Sequence, residues 1–263
     1  MASAIELEGV AKRFSRGEHE IDDAIPVIQG LDLVVEDGEF LCLLGPTGCG
    51  KSTVLNMIAG FEPANAGKIR VFGSAVTGPS ADRGVVFQSE IALFSWLTVE
   101  ENTAFGLKMR GLAAARIKEV VDRNLELVGL AAHRHKFPRE LSGGMKQRVQ
   151  IARALANDPR ILLMDEPFGA LDAQTRRRMQ GELAQIWMQA RKTVLFITHD
   201  INEAIWLGDR VAVMSHGPGA HVIATRTIDL PRPREAMTAE FSELYNELNA
   251  WLHPAGEGSR HAA

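Results

Sequence analysis

Apolar positions along the chain fall into short runs and longer periodic stretches, and their alternation separates strands from helices. β-rich runs at Glu39–Leu44, Arg160–Met164 and Thr193–Thr198 are each followed by a helical pattern, at Lys51–Ala59, Asp172–Ala190 and Ile201–Leu207. Such alternation predicts a largely parallel sheet with crossover helices. Ile5–Phe14 and Val27–Val35 read instead as strands joined through turn residues, an antiparallel β-subdomain. Between Thr98 and Asn157 the pattern is helical, with Ile117, Val120, Val121, Leu125 and Val128 on one face, and the block reads as an inserted helical subdomain. Near the end, Leu230–Glu235 carries Pro231 and Pro233 and reads as a linker into a last amphipathic helix over Thr238–Leu252.

Composition narrows this picture. With 263 residues, 46% of them hydrophobic, the chain can bury a sizeable core. Its apolar runs, Phe40–Leu44, Ile161–Met164 and Val194–Ile197, are strand-length and far short of the roughly 20 residues that span a bilayer as a helix. Membrane association is therefore expected through partners. The opening residues, Met1–Val10, lack the basic-then-apolar layout of a signal peptide, which points to the cytosol. Cys42 in an apolar strand and Cys49 in a glycine-rich loop read as a core and a loop residue, neither disulfide nor metal ligand. A net charge of −4 with dispersed cations weighs against nucleic acid as a main partner, and Arg176–Arg178 read as a solvated helix face. His133 and His135 are assigned no metal.

Candidate chemistry begins where the first parallel strand meets its helix. Gly45, Pro46, Thr47, Gly48, Cys49, Gly50, Lys51 and Ser52, followed by Thr53, match the phosphate-loop pattern in its required strand-to-helix context. Glycines let backbone N–H groups turn toward phosphates, and the helix N-terminus adds partial positive charge. Lys51 is expected to reach the β- and γ-phosphates and Ser52 to ligate Mg²⁺. A second apolar strand ends in Asp165 and Glu166, at the edge where open α/β sheets bind ligands. Asp165 is placed to hold Mg²⁺, and Glu166 to polarise an attacking water. His199 ends a third strand and reads either as a donor to the γ-phosphate or as a structural residue.

Leu141-Ser142-Gly143-Gly144-Met145-Lys146-Gln147-Arg148, opening a helix, resembles the signature motif of ABC ATPases. Resemblance then extends over nearly the whole chain, through Phe14, Gln88 after Val85-Val86-Phe87, the Leu163–Pro167 strand end, Ala170-Leu171-Asp172 and Thr198-His199-Asp200. It implies an α/β P-loop NTPase core with an N-terminal antiparallel β-subdomain and an inserted helical subdomain. Residues 1–88 and 158–229 would form the core with the β-subdomain, 89–157 the helical subdomain, and 230–263 a linker and C-terminal helix. The substrate implied is ATP with Mg²⁺. Phe14 would stack on adenine, and Ser142, Gly143 and Gly144 would contact the γ-phosphate held by the opposite copy of a head-to-tail dimer. Serine and two glycines at a helix N-terminus suit an anion cap, and they equally suit an ordinary N-cap with a turn. Gln88 would sense Mg²⁺ and the attacking water, and Asp172 would link the two sites.

Val76–Phe87 and Ile228–Arg234 resemble importers of nitrate, sulfonates and taurine, which implies membrane-spanning permease subunits and, indirectly, a solute-binding protein. Ile91–Leu97 is unusually apolar for a loop, and reads either as a groove for a short helix of the membrane partner or as core of the helical subdomain. Departures from the family pattern are Phe14 where tyrosine is common, a long connection at Arg16–Pro26, and Ser95 for a common proline. The alternatives weighed are a soluble ABC-type ATPase acting on nucleic acid or ribosomes, and a kinase using the same phosphate loop.

Overall fold

The fold was obtained as a computed structural model, described here for residues 3–14, 25–88, 92–169, 173–190, 192–232, 234 and 238–254. In chain order its elements are β1 (Ser3–Phe14), β2 (Ile25–Glu36), β3 (Phe40–Leu44), α1 (Lys51–Ala59), β4 (Ala66–Val71), β5 (Ser74–Ala75), β6 (Arg83–Val86), α2 (Val99–Met109) and α3 (Ala114–Leu127). There follow α4 (Gly143–Ala156), β7 (Ile161–Asp165), α5 (Ala173–Ala190), β8 (Thr193–Thr198), α6 (Ile201–Leu207), β9 (Arg210–Met214), β10 (Val222–Thr227) and α7 (Ala239–Leu252). The residues fall into two compact units, Met1–Pro79 with Thr193–Ala263, and Ser80–Lys192.

In the first unit, period-two burial dictates an antiparallel sheet. Leu31, Leu33 and Val35 of β2 are buried while Asp32 and Val34 face solvent. Their partners on β1 are apolar too, with Leu7 opposite Leu33 and Ile5 opposite Val35. On its other edge β1 pairs with β4, which sets Ile5 against Val71, and β5 completes the order β2-β1-β4-β5. A second sheet is built on β3, every residue of which is buried. Parallel β8 and β9 flank it, pairing Cys42 with Phe196 and Val211. An all-apolar strand has no solvent face, which is why both neighbours are parallel crossovers. β10 then joins β9 antiparallel.

The tail is fastened to this unit by two arginines. Arg234 donates through Nη1 to the carbonyls of Ile205 and Gly208 at 2.6 and 2.5 Å, and through Nη2 to Ile228 at 3.1 Å. The first two carbonyls lie at the C-terminal end of α6, where helical partners run out. Burial is the main cause that lowers this guanidinium to a pKa of about 10. Arg232 bonds Asp209 at 2.5 Å, and Asp209 accepts the Phe40 amide at 3.0 Å. Beyond this segment α7 buries Phe241, Leu244, Leu248 and Leu252, a spacing of three and four that makes one helical face.

In the second unit β6 and β7 run parallel, with Val85 opposite Leu163. Helix α2 starts in a capping box, the Thr98 hydroxyl accepting from the Glu101 amide at 3.3 Å while Glu101 accepts from the Thr98 amide at 2.8 Å. Of the face read on α3, Val121, Leu125 and Val128 are buried, and Ile117 and Val120 are half-buried. Arg177 and Arg178 are exposed on α5 while Arg176 is half-buried, so only part of the basic cluster forms the solvated face read from the sequence.

Candidate active site

In the first unit the phosphate loop joins the fully buried β3 to α1. Gly50, the residue before the helix, adopts φ 103°, and a Cβ there would lie 2.8 Å from Ile28 Cδ1 and from Val27 Cγ1. Both restrictions admit only glycine. The first turn of α1 carries no acidic residue, so the positive end of the helix is not neutralised locally. Lys51 is buried, and its ammonium donates to the carbonyls of Gly45 at 2.8 Å and Pro46 at 2.9 Å, folding the side chain back along the loop. Ser52 is exposed at the helix start and Thr53 is half-buried. Pro46, Thr47, Gly48 and Cys49 line a cavity of 420 Å³ together with Ile25, Val27 and His216. Phe14 is cross-strand partner to Ile25 and is 41% exposed.

His199 follows β8 and is exposed. The backbone around it is set by Thr198, whose hydroxyl donates to the buried Glu203 at 2.6 Å and accepts the Asp200 amide at 2.9 Å. Asp200 in turn caps α6 through the Asn202 and Glu203 amides. The position of His199 is thus fixed by capping on both sides.

In the second unit Asp165 is the last residue of β7, and Glu166 follows with φ 41°, a left-handed conformation that glutamate rarely adopts. Strain of this kind persists where the surroundings over-determine it, and it turns the Glu166 carboxylate toward Gln88. Gln88 Nε2 donates to Glu166 Oε2 at 3.5 Å. Gly169 leaves room for this approach, since a Cβ there would stand 3.3 Å from Gln88 Nε2. Ser142 caps α4, its hydroxyl accepting from the Met145 amide at 3.4 Å, with Gly143 half-buried and Gly144 buried behind it. Both readings of Ser142 are compatible here, because one cap bond leaves other first-turn amides for an anion. Asp172 and Ile91 lie outside the described residues.

The same unit carries a groove of 530 Å³. Phe94 packs at a tilt against Phe105, with ring centroids 4.5 Å apart, and against Trp96 at 5.4 Å, and the Arg153 guanidinium lies 5.3 Å over the Phe94 ring. Of the apolar loop read from the sequence, Leu93 is core, whereas Trp96 is 70% exposed. Sequence reasoning did not reach Phe105, Arg110 and Arg153, which line this groove. A signal was available on α2, where Phe105 and Met109, four residues apart, stand off the face formed by Val99, Thr103 and Leu107.

The family model described as ABC transporter matches residues 28–169. An uncharacterised ABC transporter ATP-binding protein of Methanocaldococcus jannaschii is 44% identical over 94% of this chain and 91% of its own. A nitrate import ATP-binding protein of Synechococcus elongatus is 48% identical over 86% of this chain and 84% of its own. Among solved structures, a dimeric ATP-binding cassette in a post-hydrolysis state with ADP and Pi is 28% identical, with a TM-score of 0.72 over 85% of this chain and 98% of that one. Matched in this way over more than half its length, and sharing its architecture with ABC cassettes, the chain belongs to the ABC transporter family as an ATP-hydrolysing, nucleotide-binding subunit.

Proposed function

We propose that this chain powers import of a small anion or zwitterion of the nitrate, sulfonate or taurine kind, as one of two identical ATPase subunits held by membrane-spanning partners on the cytoplasmic face. The observation that carries this reading is the presence of two helix N-termini shaped for anions, the phosphate loop at α1 and the Ser142-Gly143-Gly144 cap at α4. A hydrolase working alone needs one such cradle. A second is explained when each copy caps the γ-phosphate bound by the other, so that ATP closes the dimer.

In this reading Gly45 to Thr53 cradle the phosphates and Lys51 transfers its hydrogen bonds from loop carbonyls to them. Ser52 and Asp165 offer hard oxygen donors, which fit Mg²⁺ and would hold it. When bound, the ion neutralises phosphate charge. Glu166 accepts a proton from the attacking water, a role worth about 10²- to 10⁴-fold in rate. Gln88 orients that carboxylate, His199 donates to the γ-phosphate, and Phe14 stacks on adenine. Loss of the γ-phosphate releases the cap and reopens the dimer.

Among the described residues no helix is long and apolar enough to cross a membrane; in this reading the path for the solute is provided by permease subunits. The groove beside Trp96 and Phe105 suits a short amphipathic helix from such a subunit. The solute is recognised elsewhere, by the permease and a solute-binding protein. A role on nucleic acid or ribosomes gains no support from relatives named as transporter and nitrate-import subunits.

The test is uptake and growth on nitrate, taurine or an alkanesulfonate in a disrupted strain, complemented with the native chain or with Glu166→Gln. Restoration of one solute by the native chain alone supports the reading. Use of all three solutes unaffected by disruption removes the proposed substrate class.

A further inference from the structure

The Phe14 ring has a cation beneath it. Lys12, two residues earlier on β1, places Nζ 4.9 Å from the ring centroid. Lys12 is only 6% exposed, against 41% for Phe14, so the ammonium sits on the inner side and the outer part of the ring is open. The cation is held in place by Glu62 Oε2 at 3.0 Å and the Pro63 carbonyl at 2.8 Å, both just past Gly60, the residue that ends α1. Burying an ammonium is unfavourable unless it is paired, and three partners share this one. Across the strand pair, Phe14 faces Ile25, which lines the cavity beside Pro46, Thr47, Gly48 and Cys49.

We infer that Lys12 is a positioning residue for the purine, acting through Phe14. This inference rests on the reading of Phe14 as the adenine platform. Phenylalanine has no hydroxyl with which to fix its own ring, so its orientation must come from contacts. An ammonium on one face supplies that contact and draws π density inward, which leaves the open face electron-poor and better suited to stack on an electron-rich purine. The link from Lys12 to Glu62 and Pro63 also ties the strand that carries Phe14 to the end of the helix that carries the phosphate loop.

The experiment measures binding of ATP and of inorganic tripolyphosphate, each with Mg²⁺, to the full-length chain and its variants. Tripolyphosphate reads the phosphate loop without the base. Lys12→Met should weaken ATP about three- to tenfold while leaving tripolyphosphate unchanged and turnover at saturating ATP intact. Lys12→Arg, which keeps a cation at the ring, should restore most of the loss. In a Phe14→Ala background Lys12→Met should add nothing. Equal weakening of both ligands, or an undiminished effect of Lys12→Met without the Phe14 ring, overturns the inference and leaves the platform intact. If Phe14→Ala itself does not weaken ATP relative to tripolyphosphate, the platform reading falls and this inference with it. Should Lys12→Met not fold, Glu62→Gln decides. It removes the carboxylate charge, but the glutamine oxygen and the Pro63 carbonyl still accept from the ammonium and keep it over the ring, so ATP affinity should hold within about twofold. A larger loss of ATP affinity, matched by tripolyphosphate, assigns Lys12 to the phosphate-loop helix instead.

Discussion

Gln88 and Glu166 meet side chain to side chain, amide to carboxylate, at 3.5 Å, the long limit of a hydrogen bond. Glu166 reaches this partner from a backbone conformation it adopts only under constraint, φ 41°. At this length the Gln88 amide orients the carboxylate without gripping it, and so weak a bond can yield to a water. Replacing Gln88 with Ala should therefore lower ATP turnover about tenfold, the weight of one positioned hydrogen bond, with ATP affinity unchanged. Steady-state kinetics with a parallel binding titration separates the two parameters.

Gly50→Ala should act on both stability and binding. The new Cβ meets Ile28 and Val27 at 2.8 Å in a backbone conformation of φ 103°, so either the loop or β2 has to shift. A loss of more than about 1 kcal/mol in denaturant unfolding is expected. ATP binding should fall with it, since the loop amides no longer converge.

Acid sensitivity should appear at the start of α2. Glu101 is held below its usual 4.5, first by the Thr98 backbone amide and then by the Thr98 hydroxyl. A carboxyl whose pKa is lowered by folding stabilises the fold fully above its unfolded value, and that contribution fades as pH falls through the lowered folded value. Glu101→Gln should thus be less stable than the native chain at neutral pH, with the gap shrinking below pH 4.5. Thr98→Ala should lose about 1 kcal/mol as an N-cap deletion. Thermal midpoints measured across pH 3 to 7, roughly spanning this titration, check both.

Trp96 is 70% exposed, and its removal creates no cavity in the core. Trp96→Ala should leave folding stability within about 0.5 kcal/mol of native and the ATPase of the isolated chain unchanged. Assembly with the membrane subunits should weaken by at least about tenfold, as expected when an exposed aromatic anchor is cut. Co-purification from membranes reads the second effect, and a fall in stability instead would place the side chain in the core.

Much of this was legible in the sequence because the signals were local. An apolar run ending in a glycine loop predicts β3 and α1, and the helix is observed over Lys51–Ala59. Thr193–Thr198 and Ile201–Leu207 likewise form β8 and α6. The C-terminal helix begins one residue after its cap, Thr238, whose side chain accepts from the Phe241 amide. What pattern could not reach depends on meetings between distant positions. Nothing in Leu230–Glu235 announces that Arg234 will fasten the tail to carbonyls of α6, because backbone acceptors carry no sequence signature. β4, β5 and β6 are short or half-exposed and lack a clear period, so they escaped notice. The groove at Phe94 and Phe105 forms where the apolar loop meets α2, and the sequence marks the loop as apolar without saying which helix it meets. Within the candidate site, residue types pointed to chemistry, but the left-handed backbone of Glu166 and its approach to Gln88 are properties of the folded chain.

The most direct measurement is single-turnover hydrolysis by the purified Glu166→Gln variant, alongside its affinity for ATP. Glutamine keeps the size and the backbone but cannot accept the proton of the attacking water. ATP binding close to native, with hydrolysis slowed by at least about 10²-fold and a closed dimer accumulating on a sizing column, is the expected result. Hydrolysis at the native rate would contradict the assignment of Glu166 as the base and, with it, the proposed mechanism.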